Sequence, residues 1–387
     1  MKLGITTICP HIFWDGKWWS YEPFVREMNI WAELFEELIM ISPLEEGPPP
    51  ELWVAYSKSE RVSVIPYWKN RGHGLLQPKV NASDIPGMLW SLVKSAMKSD
   101  AYHLRSPGNI SLLASILVPL WAKKASAKYA GAWPTSQGES VSYRVQKRIL
   151  SSRWFGGPVT VYGKWPNQPS HIKPFFTSIM DTEHIQIAKF ACVNKQLHIP
   201  LRIIFVGRLS RSKNVHVLID ALSKLHKKNI SVDVRVVGDG PELSALKRQT
   251  ADLQLSDAVA FTGGLAFEDV LPQYEWADVL VLAPETEGWP KAIAEAMAFG
   301  VACVGSNRGL VPQMLAGGRG LLVEPGDTME LADALRKIAI GDVDFVSMSR
   351  KAAQWGQGYS LDELRRALRE LLIREWHLTD ADLKSLP

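Results

Sequence analysis

The feature that most constrains the fold of this chain is a regular alternation between short β-branched runs and longer stretches of helical periodicity. The alternation continues from one end of the sequence to the other and predicts parallel sheets with helices on both faces. The fold class is therefore α/β. We expect two sheets of about six strands, with strands near LGITTI, ELIMIS, RVSVIPYW, DAYHLR, KASAKYA and VTVYG in the first half and near LRIIFVG, VDVRVVG, AVAFTG, DVLVLA, VACVGS and GLLVEP in the second.

The length of the chain predicts two domains. Its 387 residues exceed the size at which a single hydrophobic core keeps growing. A stretch rich in proline and polar residues, 166–200, marks the junction. We expect one Rossmann-like domain over 1–198, a second over 199–358, and a helical tail over 359–387 that could pack back on the first. Paired domains of this kind bind ligands in the crevice at the carboxyl ends of their strands.

Charge and cysteine usage limit the partners and the compartment. The 44 basic and 40 acidic residues leave a formal charge of +4, too small to predict a nucleic-acid partner. The three cysteines lie far apart without metal-ligand spacing, as expected for buried thiols in a reducing compartment. The N-terminus lacks an apolar signal core, and the longest apolar run, 110–122, is shorter than the roughly 20 residues of a membrane-spanning helix. We therefore expect a cytoplasmic protein that has no transmembrane helix.

The segment VLAPETEGWPKAIAEAMAFG, residues 281–300, reads as a buried strand, a polar loop and a short helix. Pro290 suits the first helical position, and Gly300 suits the residue after the last one. Glu287 in the loop and Glu295 in the helix can accept hydrogen bonds from the hydroxyls of one ligand, and the free N–H groups of the helix start favour an anion such as a diphosphate. Taken alone, the two acids are equally compatible with solvated residues around a helix start.

A second segment, FVGRLSRSKN, carries Arg208 and Lys213 after the end of a buried strand. Cations in this position could stabilise the negative charge that a nucleoside diphosphate gains as a glycosidic bond breaks. The alternative is a solvated basic loop, since Arg211 is a third cation nearby. A third segment, VVGDGPE, places Gly238 and Gly240 in a turn that offers another close backbone approach at the same edge of the sheet.

Together with FTGG and GLLVEPGD, and in this order over residues 202–336, these segments resemble the retaining glycosyltransferases of family 4, the glycosyl transferases group 1. The resemblance implies the GT-B fold, in which two Rossmann-like domains face each other across a cleft. It also implies that Arg208 and Lys213 hold the diphosphate of the donor. Glu287 would contact the transferred sugar and Glu295 the ribose. Backbone groups of four consecutive residues would line the sugar and phosphate pocket: Gly288, Trp289, Pro290 and Lys291.

The sequence departs from the family pattern at two places in this half. Trp289 and Pro290 stand where family members usually have Phe followed by Gly, so the sugar pocket could have a different shape. Gln313 stands where the family often has Glu. The first departure leaves the identity of the donor sugar open, and the second removes support for a ligand contact at Gln313.

The N-terminal half resembles the family more weakly. His103 in DAYHLRSPGN matches the family's strand-end histidine that faces the cleft, and the alternative is a hydrogen-bonded histidine of the strand end. Near the N-terminus, the family has a pair of glycines where this chain has the single Gly16 in FWDGKWW. The match predicts that the loop around Gly16 contacts the acceptor. Tyr129 or Trp133 could contact the acceptor where the family often has another histidine.

The segment 139–154 predicts a helix that could lie on an anionic membrane. Val141, Val145 and Ile149 share one helical face, with Arg144, Lys147 and Arg148 nearby. The alternative is a solvated helix packed on its own domain.

The function predicted from the sequence is a glycosyltransferase that moves a sugar from a nucleotide-diphosphate sugar to a glycan or lipid-linked acceptor, in polysaccharide biosynthesis. Retention of anomeric configuration is implied by the resemblance alone. We expect no metal, no cofactor and no nucleic acid, and a cytoplasmic enzyme that could contact the inner face of a membrane. Two other functions stay open: a phosphorylase with lysine-bound pyridoxal phosphate, and a non-catalytic sensor or partner subunit that binds nucleotide sugars.

Overall fold

The computed structural model describes residues 1–69, 82–135, 138–193 and 195–383. The chain forms two compact units: Met1–Ile179 together with Leu361–Pro387, and Met180–Ser360. The second unit therefore begins at Met180. The proline content of the junction had suggested a start at residue 199.

Ten strands, among the described residues, form the sheet of the first unit in the order β10-β9-β8-β7-β1-β4-β2-β3-β5, with β6 also paired to β4. The strands are β1 (Lys2–Thr6), β2 (His11–Trp14), β3 (Lys17–Tyr21), β4 (Glu37–Glu45), β5 (Trp53–Ala55), β6 (Val62–Lys69), β7 (Ala101–Ser106), β8 (Ala125–Tyr129), β9 (Val159–Tyr162) and β10 (Ile172–Phe175).

Six of these strands confirm the prediction, but the expected total of about six was wrong. The additional strands are β2, β3, β5 and β10, which have three to five residues each. β2 and β3 form a hairpin through Asp15 and Gly16, which both have positive φ, as a two-residue type I′ turn requires. The Asp-Gly pair is a hairpin signal that the strand prediction overlooked.

The sheet of the second unit is parallel and has the order β13-β12-β11-β14-β15-β16. All six strands lie where the sequence predicted them. They are β11 (Leu201–Val206), β12 (Val232–Val237), β13 (Val259–Gly263), β14 (Val279–Leu282), β15 (Ala302–Ser306) and β16 (Gly320–Val323).

Thirteen α-helices cover the two sheets in the described part of the chain. They are α1 (Glu22–Leu34), α2 (Ile85–Ala96), α3 (Asn109–Leu117), α4 (Val141–Ser151), α5 (Thr182–Cys192), α6 (Val215–His226), α7 (Leu243–Asp252), α8 (Phe267–Trp276), α9 (Lys291–Ala298), α10 (Val311–Leu315), α11 (Thr328–Ala339), α12 (Phe345–Gly356) and α13 (Leu361–Trp376).

The first sheet has one hydrophobic core on each face. Alternate strand residues point to opposite faces, so Leu3 and Leu38 join the core under α1 and α13, whereas Tyr102 and Leu104 join the core under α2, α3 and α4. The C-terminal helix α13 belongs to this unit because its leucines lie in the first of these cores. Its Trp376 donates a hydrogen bond from Nε1 to the carbonyl oxygen of Ala125 at 3.2 Å.

A buried charge network links α1 to the carboxyl ends of three strands of the first sheet. Glu27 on α1 accepts hydrogen bonds from Arg105 Nη1 at 2.6 Å, from Lys128 Nζ at 2.9 and 3.0 Å, and from Thr177 Oγ1 at 3.2 Å. Burial alone would raise the pKa of Glu27, but the charges of Arg105 and Lys128 outweigh burial and hold it well below its usual range. The carboxylate is therefore ionised and fully paired.

We expect Glu27→Ala to destabilise the protein by about 3–5 kcal/mol, because it leaves two cations near the core without their counter-charge. The free energy of unfolding in urea measures this loss. Glu363→Ala, which removes an exposed partner of Arg366, is the control and should cost about 1 kcal/mol or less.

The lowered pKa of Glu27 also determines how the stabilisation by this charge network depends on pH. The network stabilises the fold at pH values above the unfolded pKa of about 4.3 and loses its effect as the pH falls toward the folded pKa. The stability gap between the wild type and Glu27→Gln should therefore narrow as the pH falls below about 4. A gap that does not change over this range would contradict the assignment.

Candidate active site

The candidate site lies where four loops meet at the carboxyl edge of the second sheet. The loops are 207–214 after β11, 238–242 after β12, 283–290 after β14 and 307–310 after β15. From β11 the chain proceeds to β12 and β13 on one side, and from β14 to β15 and β16 on the other. Parallel sheets of this topology bind ligands at the point where the strand order reverses, which here lies between β11 and β14.

Hydrogen bonds between the loops hold this edge in one conformation. The backbone N–H of Leu209 donates to the carbonyl oxygen of Asp239 at 2.9 Å, and that of Glu285 donates to Ser212 at 3.0 Å. Asn214 has a left-handed conformation and is buried. Its Nδ2 donates to the carbonyl oxygen of Ala283 and to Glu285 Oε1, both at 3.0 Å. Asn214 therefore fixes the β11 loop to the β14 loop.

The glycines of the β12 loop are required by the packing of the loops. A Cβ atom built at Gly238 would overlap the carbonyl oxygen of Gly207, and one at Gly240 would overlap that of Leu209. The close backbone approach predicted at these glycines is thus a contact between two loops of the protein. Their contact with a donor stays a prediction.

Two predicted residues from different loops meet at the switch point. Lys213 lies in a short 3₁₀ turn after β11, and its Nζ donates to Glu287 Oε2 in the β14 loop. Both side chains are partly exposed. The pair places an ammonium and a carboxylate, 74 positions apart in sequence, within one hydrogen bond of each other.

Arg208 follows the same strand but does not join this pair. Its side chain is exposed and makes no hydrogen bond or ion pair with the residues that the structure describes. The guanidinium is therefore available to an incoming ligand at the end of β11.

Glu295 lies inside α9 and is buried, with 7% of its surface exposed. Its Oε2 accepts a hydrogen bond of 2.8 Å from the hydroxyl of Tyr274, which lies wholly in the core. Burial and the nearby Glu295 carboxylate together raise the pKa of Tyr274 well above its usual value, so the phenol stays a proton donor. Tyr274 thereby fixes the orientation of the Glu295 carboxylate.

The departure from the family at Trp289 has a packing explanation. The Trp289 ring is buried and stacks on Trp355 with centroids 6.0 Å apart, and its edge contacts Tyr359 at 5.1 Å. The indole therefore fills the core beneath α12. Pro290 is the N-cap of α9, which begins at Lys291, one residue later than the sequence predicted. The contact of the main chain of Gly288 to Lys291 with a ligand stays a prediction.

His103 does not lie where the sequence placed it. It occupies the middle of β7, which continues to Ser106, and only 2% of its surface is exposed. Its ring packs on Trp31 with centroids 4.3 Å apart, and its Nδ1 makes a 2.9 Å hydrogen bond with Ser126. Burial, with a further contribution from Arg105, lowers the pKa of His103 to about 3. The histidine is not at the end of the strand, which extends three residues further, and its hydrogen bond fits the alternative interpretation given above. Its contact with a ligand stays a prediction.

Gly16 lies in the turn between β2 and β3, in the first unit. A Cβ atom built there would meet no atom within 4 Å, so the glycine is needed for its positive φ and not for a close approach. Its predicted contact with a ligand stays a prediction.

Sequence reasoning missed two residues that shape the site. Asn214 had a readable signal, because Asn is the residue that most often replaces Gly in a left-handed conformation. Gly309 has positive φ, and a Cβ atom there would overlap the carbonyl oxygen of Glu287. This glycine lets the β15 loop pack on the loop that carries Glu287, a contact between segments that the sequence alone does not bring together.

The comparison with known families agrees with this geometry. Residues 194–355, which include all four loops, match the sequence profile of the family described as glycosyl transferases group 1. Residues 194–355 are a glycosyl transferases group 1 domain. The amylovoran biosynthesis glycosyltransferase AmsK of Erwinia amylovora is 32% identical over 157 residues, which cover 39% of this chain and 39% of that protein. The chain thus aligns with less than half the length of the curated relatives it matches.

Solved structures share the fold of the whole chain, beyond the group 1 domain. The sucrose-phosphate synthase of Thermosynechococcus elongatus has a TM-score of 0.69 at 16% identity, with 96% of this chain and 98% of that chain covered. HepE of Anabaena, solved in complex with UDP, has a TM-score of 0.66 at 17% identity and covers 96% of this chain and 99% of its own. The fold is α/β and of the GT-B type, with two Rossmann-like units. Among the described residues, no helix has both the length and the apolar character needed to cross a membrane.

The loop packing in the group 1 domain can be tested at Gly238. We expect Gly238→Ala to destabilise the protein by more than about 2 kcal/mol, because the new methyl group overlaps the Gly207 carbonyl and the residue keeps a positive φ. Gly264→Ala is the matched control, since its Cβ would meet no atom within 4 Å and its φ is ordinary. Urea unfolding measures both changes, and equal losses in the two variants would contradict the proposed packing.

Proposed function

We propose that this chain is a glycosyltransferase that moves a sugar from a nucleotide-diphosphate sugar to a glycan or lipid-linked acceptor in polysaccharide biosynthesis. The observation that carries the proposal is the contact of Lys213 with Glu287 at the switch point of a group 1 domain. The polysaccharide setting is supported by the name of AmsK. A uridine nucleotide is supported by HepE, which has been solved with UDP and with UDP-glucose.

The Lys213–Glu287 pair acts as a preformed donor site. Without ligand, the two charges satisfy each other. A diphosphate carries more negative charge than one carboxylate and competes for Lys213, which leaves Glu287 to accept a hydrogen bond from a sugar hydroxyl. Arg208, exposed at the end of the same strand, adds a second cation to the diphosphate. Glu295, oriented by Tyr274, contacts the ribose.

The proposed reaction retains the configuration of the sugar. The bond between the anomeric carbon and the phosphate oxygen breaks, and the acceptor oxygen forms the new bond on the same face. The proton of the acceptor passes to the departing phosphate oxygen. Lys213 and Arg208 stabilise the transition state more than the bound donor, because the negative charge on the diphosphate grows as the bond breaks. These two side chains supply the positive charge that a divalent metal would otherwise supply, so we propose that the transfer is metal-independent. We also propose that the enzyme is cytoplasmic and acts at the inner face of a membrane.

A thermal-shift screen tests donor binding directly. A ligand that binds only the native state stabilises it by RT ln(1 + [L]/Kd), which is about 2.7 kcal/mol at a hundredfold excess over Kd. We expect a nucleoside diphosphate and its sugar to raise the Tm, with UDP as the first candidate, in the presence of EDTA as well as in its absence. No stabilisation by any nucleotide sugar would refute the function. Stabilisation without sugar transfer or donor hydrolysis would favour the non-catalytic sensor, and absorbance of a lysine-bound pyridoxal phosphate would favour the phosphorylase.

Substitutions at the ion pair separate donor binding from transfer. Lys213→Ala should weaken UDP binding and reduce transfer by roughly a hundredfold or more. Glu287→Gln should reduce transfer to a similar extent yet bind UDP up to about fivefold more tightly, because Lys213 no longer has to leave a carboxylate. Calorimetry with UDP and a transfer assay measure the two quantities.

Lys227→Ala, which removes an exposed lysine just after α6 in the same unit, is the control and should change neither quantity. The opposite sign of the two binding changes is the decisive outcome. Weaker UDP binding in Glu287→Gln, or normal transfer in either variant, would show that the pair does not hold the donor.

A further inference from the structure

The charge of the chain is distributed very unevenly. Residues 85–180 contain twelve Lys and Arg residues against two acidic ones, Asp100 and Glu139, whereas the chain as a whole has 44 against 40. This segment includes α2, α3 and α4, which cover one face of the first sheet. Four of the twelve cations are paired with acids, Arg105 and Lys128 with Glu27, Lys147 with Glu139 and Lys173 with Glu375. Most of the others lie on or beside the three helices.

Helix α2 presents apolar side chains to solvent as well as to the core. Its small polar residues Ser91 and Ser95 are buried toward the sheet, where Ser91 Oγ donates to the carbonyl oxygen of Pro66 at 2.9 Å. Met88 and Leu92 are buried in the core, but Trp90 is 66% exposed, Val93 is 50% exposed, and Met97, which follows the helix, is 75% exposed. A surface helix of a globular protein normally carries polar residues on its outer face, so the exposed apolar residues of α2 are unusual.

The end of α3 repeats the pattern. Ser111 and Ser115 are buried, whereas Leu120, in the turn that follows the helix, is 64% exposed and Trp121 is exposed beside it. Trp154, also exposed, donates a hydrogen bond from Nε1 to the carbonyl oxygen of Ile116 at 3.1 Å. The apolar surface therefore continues from α3 to the segment that follows α4.

Helix α4 extends the same surface and corrects one prediction. Val141 and Val145 are exposed as expected, but Lys147 is buried, where it pairs with Glu139 and donates to the carbonyl oxygen of Pro134 at 3.3 Å. Lys147 thus cannot contribute charge to the surface. It was grouped with its exposed neighbours because sequence spacing does not reveal the contact with Glu139.

Exposed cations surround the apolar residues of the three helices. None of them forms a salt bridge with the residues described. They are Lys94, Lys98, Lys123, Arg144, Arg148 and Arg153.

We propose that the outer face of α2, α3 and α4 docks on a lipid bilayer that contains anionic lipid. Tryptophan and aliphatic side chains would enter the boundary between head groups and acyl chains, while the surrounding cations contact lipid phosphates. A second copy of the chain fits this face less well, because a symmetric contact would set two positive surfaces against each other. The inference rests on the proposed function, which includes action at the inner face of a membrane, and it names the surface that makes the contact. Docking itself requires neither donor nor acceptor.

Co-sedimentation with vesicles tests the proposal on the full chain. We expect binding to phosphatidylcholine vesicles that contain phosphatidylglycerol, little binding to pure phosphatidylcholine, and weaker binding as salt is added. Trp90→Ser combined with Leu120→Ser should reduce binding roughly tenfold by removing apolar insertion. Lys94→Glu combined with Arg148→Glu should reduce it roughly tenfold or more by removing charge.

Matched controls come from the second unit. Met329→Ser with Val346→Ser removes two apolar side chains that are exposed to a similar degree, and Lys227→Glu with Lys228→Glu reverses two exposed charges. Both control variants should bind vesicles like the wild type, and every variant should keep the wild-type Tm. Equal binding to both kinds of vesicle, equal losses in the controls, or a dimer in light scattering that Trp90→Ser with Leu120→Ser dissociates would overturn the proposal. The increase in Tm caused by UDP, measured on the same samples, tests the donor site independently. A failure of vesicle binding can therefore be distinguished from a failure of the proposed function.

Discussion

The account depends on one interaction, the ion pair of Lys213 and Glu287 between the loops after β11 and β14. Its position follows from the sheet order, since the chain leaves these two neighbouring strands in opposite directions and opens a crevice between them. Asn214 and the glycines of the adjoining loops hold the backbone on both sides of the crevice. The two charged side chains therefore sit on a fixed support, which is what recognition of a donor requires.

The two units use acid–base contacts differently because the contacts are buried to different degrees. Glu27 with Arg105 and Lys128 is closed off from water, where removal of one partner costs several kcal/mol, so this network acts as a permanent link. Lys213 and Glu287 are partly exposed, and an exposed pair contributes at most about 1 kcal/mol. Such a pair can be exchanged for a ligand at little cost. The first network suits a fold, and the second suits a binding site.

The local residue pattern was sufficient to predict the strands and the spacing of Glu287 and Glu295, because each of these features depends only on a short segment of sequence. All twelve predicted strands are present, and Lys213 and Glu287 meet although 74 positions separate them. The rest depended on contacts between distant segments. His103 is enclosed by Trp31 and Ser126, and Trp289 packs on Trp355. None of these partners lies near its residue in sequence, so no local pattern could assign either side chain to the core.

The most direct test of the ion pair is a crystal structure of the protein with UDP. The account predicts that Lys213 Nζ leaves Glu287 and lies about 3 Å from a phosphate oxygen, with the diphosphate at the carboxyl ends of β11 and β14. An intact Lys213–Glu287 pair with the nucleotide bound elsewhere would contradict the account.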